Sequence, residues 1–140
     1  MTVRRLFKLH VALFALAVPL AARLLPLRWL LRVLTPPRGW TPYRGISAEE
    51  IRSAVLRRLE RPRLMRRRIC QRRGLTLFHF LSLAGIRSEL RFGVYAQRPQ
   101  MSRTTAHCWV TVNGEALADP PMEPFALVLV YPPPPKPAEA

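Results

Sequence analysis

The segment from Cys70 to Gly85, CQRRGLTLFHFLSLAG, limits what this chain can fold into more than any other. Leu75, Leu77, Phe78, Phe80, Leu81, Leu83 and Ala84 project at too many angles for a helix with a single apolar stripe, so other elements have to enclose it. Gly85 supplies its stop. With 140 residues the chain has one modest core to build, and this helix is its centre.

The flanking segments are locally decisive. Upstream, Ser47-Ala48-Glu49-Glu50 is a capping box, in which Ser47 accepts from the Glu50 amide and Glu50 reaches back. Ile51, Ala54, Val55 and Leu59 then share one helical face until Pro62 ends it. Downstream, the period drops to two. Leu90, Phe92, Val94 and Ala96 alternate with Arg91, Gly93 and Tyr95, which predicts a half-buried strand. In a second strand Ala106, Cys108, Val110 and Val112 make a small apolar face, while Thr105, His107, Trp109 and Thr111 point the other way. Asn113-Gly114 is a strong hairpin signal. Glu115 to Ala118 returns beside the His107 strand, and the uninterrupted run Phe125 to Tyr131 is consistent with a buried strand. The fold class is therefore α+β: N-terminal helices, then a central Cys-bearing helix packed on a small antiparallel sheet.

Three regions follow from composition. Residues 1–38 are a Leu/Arg-rich hydrophobic arm, residues 39–131 hold the helix-and-sheet domain, and residues 132–140 are a proline-rich tail with the composition of disorder. The arm opens like a secretory signal, with Arg4, Arg5 and Lys8 ahead of an apolar run. Pro19 interrupts that run, no clean cleavage site follows, and the uncharged stretch Leu9 to Ala22 is shorter than a bilayer requires. Packed helices are the expectation and a lipid interface the alternative. A cytoplasmic location, with membrane association through the arm, suits either.

The formal net charge of +15 favours anionic partners. Nine arginines fall between Arg57 and Arg73, either an electrostatic platform or a solvated helix end. No zinc-ligand spacing, stacking motif or heptad accompanies them, so nucleic acid is an unfavoured partner. Two cysteines, Cys70 and Cys108, do not form a disulfide framework.

The chemistry gathers on three residues. Cys70 lies at the first turn of the central helix, where unpaired amides and neighbouring arginines are the conditions that make a cysteine nucleophilic. A buried small hydrophobe is the plainer reading of any free cysteine. His107 sits off the apolar face of its strand. Asp119, the only aspartate, follows the hairpin within reach of His107, and Pro120 is expected to hold it in an extended backbone. A carboxylate so placed fixes a histidine's tautomer. Cys108 reads as a core filler; His79 and His10 read as satisfied core histidines.

The order Cys70, Gly85-Ile86, Gly93-Val94, Ala106-His107-x-Trp109-Val110 and Asp119 resembles the transglutaminase-like cysteine peptidases of lasso-peptide biosynthesis, the leader peptidases often called the B protein. CQRRGLTLFHFLSLAGI matches the family's cysteine block, including Arg73, Leu75 and Leu77. FGVYAQ and AHCWVTVNGEAL match its two strands, and the N-terminal arm is similar too. The family usually has Ala where Cys108 stands and Ser or Ala where Gly74 stands, a glycine expected to weaken the helix by about 1 kcal/mol. The resemblance implies a papain/transglutaminase-like core and a Cys70, His107, Asp119 triad that removes a leader from a ribosomal precursor peptide without metal or cofactor. It implies as partners a leader-recognition protein and an ATP-dependent cyclase. An acyltransferase with the same triad and a non-catalytic Arg-rich membrane- or nucleic-acid-binding protein are the alternatives.

Overall fold

A computed structural model describes residues 2–60, 69–95, 106–122 and 124–133. The arginines between 61 and 68 and the proline-rich segment from 134 onward lie outside the described residues. Four helices, α1 (Val3–Leu24), α2 (Leu27–Leu34), α3 (Ala48–Leu59) and α4 (Ile69–Leu83), precede four strands, β1 (Glu89–Tyr95), β2 (Ala106–Val112), β3 (Glu115–Ala118) and β4 (Phe125–Tyr131). The sheet is antiparallel in the order β3-β2-β1-β4. This is the expected α+β architecture, with α4 against the sheet.

Local chemistry sets the element ends. Ser47 Oγ accepts from the Glu50 amide at 3.1 Å, whereas the Glu50 carboxylate turns to Arg4 of α1. After α4, Gly85 takes φ +74° and the Ile86 amide bonds back to the Leu81 carbonyl at 2.9 Å, closing a Schellman turn that only a residue tolerant of positive φ permits. Asn113 and Gly114 both have positive φ, the geometry of a type I′ turn, and Val112 pairs with Glu115 across it.

The core forms around α4, whose Leu75, Leu77, Phe80, Leu81 and Leu83 are essentially inaccessible. Leu90, Cys108 and Val110 meet them from the sheet; Ile51, Val55 and Leu59 from α3; Phe7, Val11 and Ala15 from α1; Leu30, Leu31 and Leu34 from α2. The histidines expected to be satisfied core residues are hydrogen-bonded, though both are only half-buried at the core's edge. His79 Nδ1 donates to the Leu34 carbonyl at 2.8 Å and its ring stacks on Phe14 at 4.5 Å. His10 Nδ1 meets the Tyr43 hydroxyl at 2.7 Å.

Two expectations need correction. Pro19 does not interrupt the arm's first helix, because α1 runs through it to Leu24. The apolar run of β4 is not a buried strand: Leu127, Val128 and Leu129 are exposed. β4 occupies a sheet edge, while α4 packs chiefly on β2. Hydrophobic content alone cannot distinguish a central strand from an uncovered edge.

Candidate active site

Cys70 sits in the first turn of α4, half-buried and unoxidised. Its amide belongs to the first four of the helix, which have no intrahelical acceptor. One turn on, Arg73 lies on the same side of α4, since residues three apart are surface neighbours. Gly74 follows, and the close approach of α4 to β2 explains it. A Cβ there would lie 2.8 Å from Cys108 Sγ and 3.2 Å from Leu90 Cδ1. Gly74 is thus a packing requirement rather than merely a weak helix former.

The expected alternation divides β2. Cys108 and Val110 face α4 in the core. His107 faces away from them and pairs in register with Gly93 of β1. On that second face the His107 ring lies nearly parallel to Tyr95, centroids 5.7 Å apart, and to Trp109, 5.6 Å apart. Trp109 is only 3% exposed; its ring covers the space that a side chain at position 93 would fill and meets Phe125 edge-on. An aromatic layer thus fixes the imidazole. Neither Tyr95 nor Trp109 was singled out as a site residue by sequence reasoning, although the period-two pattern already put Trp109 on the His107 face.

The hairpin brings Asp119 to His107, but not in the expected way. The β2–β3 register shifts between Val110 and Thr111, and Arg52 of α3 donates to the Leu117 carbonyl at 2.8 Å where the shift occurs. Asp119 then has φ +50°, in the left-handed region rather than the extended conformation expected ahead of Pro120. Aspartate is among the few residues that tolerate it. Its carbonyl meets His107 Nε2 at 2.8 Å, and its carboxylate pairs instead with Arg73 Nη1 at 2.9 Å.

Cys108 completes the cluster without joining its chemistry. Burial foremost, and then the neighbouring charges of Cys70 and Asp119, push its thiol far up. A thiol so held stays protonated and inert. Among the described residues no hydrogen bond joins Cys70 to His107, and no group of histidine, cysteine and acidic side chains is arranged to hold a metal.

The fold is a cysteine-bearing helix, α4, packed on a four-stranded antiparallel sheet whose strand β2 carries a histidine anchored to a backbone carbonyl. The family model of the transglutaminase-like superfamily matches residues 12–130, and the chain belongs to that superfamily. Its membership supports activity of the cysteine peptidase or acyltransferase type. No curated protein and no solved structure matches the chain.

Proposed function

We propose that the protein is a cysteine peptidase that removes the leader from a ribosomally made precursor peptide, with Cys70 as nucleophile, His107 as general base and acid, and Asp119 as the residue that positions His107. The observation that carries this reading is the His107 Nε2 contact with the Asp119 carbonyl. A carbonyl only accepts, so Nε2 holds the hydrogen and Nδ1 is left with the lone pair that removes a proton.

In this reaction Nδ1 takes the thiol proton as Cys70 Sγ bonds to the carbonyl carbon at the leader's end. The C–N bond breaks and the Nδ1 proton passes to the departing amine. Water, deprotonated by the same nitrogen, then attacks the thioester, releasing the leader as a carboxylic acid and restoring the thiol. The Cys70 amide, in the first turn of α4, is the candidate donor to the oxyanion. The resemblance supplies the substrate class, and with it a leader-recognition partner and an ATP-using cyclase that takes the freed core.

Cleavage of the precursor peptide encoded beside this gene, by wild type and by Cys70→Ala, is the test. Wild type should yield leader and core, and the variant neither; equal cleavage by both would remove Cys70 from the reaction. Adding a primary amine and weighing the products distinguishes hydrolysis from acyl transfer.

A further inference from the structure

Helix α1 has two apolar faces. One packs inward: Phe7, Val11, Ala15 and Val18 are at most 4% exposed. On the opposite side Leu6, Leu9, Leu13, Leu16, Leu20 and Leu24 recur every three or four residues, and each is 50 to 71% exposed. The inner stripe satisfies the fold. The outer one leaves a continuous leucine ridge along a 22-residue helix, and a contiguous exposed apolar surface of this kind marks a place of contact.

Charge selects the partner. No acidic residue precedes Glu49, whereas Arg4, Arg5, Lys8 and Arg23 all lie on α1. Arg4 reaches across to Glu50; Arg5, Lys8 and Arg23 are exposed. A second copy packing ridge to ridge would bring the cations of both helices together with no acid on either α1 to answer them, the reverse of the flanking charge pairs that stabilise coiled coils. An anionic lipid surface meets both requirements, taking leucines at the acyl boundary and cations at the phosphates.

We propose that α1 lies in the plane of an anionic membrane surface, with the Leu6–Leu24 ridge in the lipid and its basic side chains among the headgroups. The helix is long and apolar enough to cross a bilayer, but crossing would pull the Phe7 stripe out of the core. Lying flat leaves that stripe in place. Phe7 stays against Phe80 of α4, with ring centroids 5.5 Å apart, so the surface also holds the Cys70-bearing helix at a fixed height and orientation.

The test is flotation of the full chain with phosphatidylcholine vesicles, with and without phosphatidylglycerol. Wild type should float with the anionic vesicles only. Leu13→Gln combined with Leu16→Gln, both exposed positions, should lower the partition coefficient at least about tenfold with an unchanged circular dichroism spectrum. Leu13→Trp, which keeps the ridge apolar, should show a blue-shifted emission quenched by brominated lipid. Wild type left in the pellet, equal flotation of the glutamine variant, or an unshifted tryptophan would each overturn the proposal. A stable dimer that ignores vesicles would assign the ridge to a second copy, and retention only with an added acidic peptide would assign it to a protein.

Discussion

His107 donates from Nε2 to the backbone carbonyl of Asp119, 2.8 Å away, while the carboxylate of the same residue is engaged by Arg73. The left-handed backbone of Asp119 makes this division of labour possible, directing carbonyl and side chain to different partners. The imidazole tautomer is therefore set by a neutral dipole. Arg73 answers the carboxylate's charge one helical turn from Cys70.

Asp119→Asn should accordingly be mild. Asparagine tolerates the left-handed backbone nearly as well as aspartate, and its carbonyl serves His107 unchanged. Only the Arg73 ion pair is lost, and both of its side chains are about a quarter exposed. We expect kcat/KM on the precursor peptide to stay within about tenfold of wild type, not to fall by the roughly 10⁴-fold expected where a carboxylate itself orients the histidine. Asp119→Ala should do worse, chiefly through the backbone, costing about 1–2 kcal/mol in urea unfolding.

The two thiols should separate cleanly under alkylation. Cys70 is accessible, whereas Cys108 is 3% exposed and its thiol is pushed far up by burial. Native protein treated with iodoacetamide should take one adduct, mapped to Cys70 by mass spectrometry, and a second only in denaturant. His107→Ala should slow the Cys70 reaction at neutral pH and leave Cys108 protected. Rapid native labelling of Cys108 would contradict the packing of α4 on β2.

Acid should weaken the fold through His79. Burial lowers its pKa from the ordinary 6.5, the Leu34 carbonyl opposes that shift, and His10 adds to it; burial lowers His10 as well. Above 6.5 folded and unfolded chains both carry neutral imidazoles. As pH falls below it the unfolded chain binds protons first, and stability is lost until the folded values are reached. The urea midpoint should drop between about pH 7.5 and about pH 5.5, and His79→Gln should flatten that slope.

What could be read from the residues was the locally encoded part. The Ser47 cap, the Gly85 stop and the Asn113-Gly114 turn depend on a few consecutive residues, and each appears as expected; β2 does not alternate in burial, since Cys108, Trp109, Val110 and Thr111 are all buried and Ala106 is exposed. The exposure of β4 depends on strand order, which no local pattern contains. The conformation of Asp119 depends on Arg73 and His107, 46 and 12 residues away; proximity to His107 was legible, but not which Asp119 oxygen faces it. Arg73 stood in plain view three residues after Cys70, and its role emerged only when the hairpin placed a carboxylate beside it.

Gly74 and Cys108 are one packing arrangement. The strand carries the sulfur and the helix gives up its Cβ. With Cys108 Sγ 2.8 Å from where that Cβ would sit, Gly74→Ala forces a shift in a closed core at a cost of about 1–3 kcal/mol, more than the helix propensity gain of about 1 kcal/mol recovers. Cys108→Ala alone leaves a void and should cost about 1 kcal/mol. Combined, the two substitutions refill the space and keep the propensity gain, so the double variant should be at least as stable as wild type, with a coupling of about 1 kcal/mol or more in a double-mutant cycle. Additive losses in urea unfolding would show that α4 and β2 do not meet at this point.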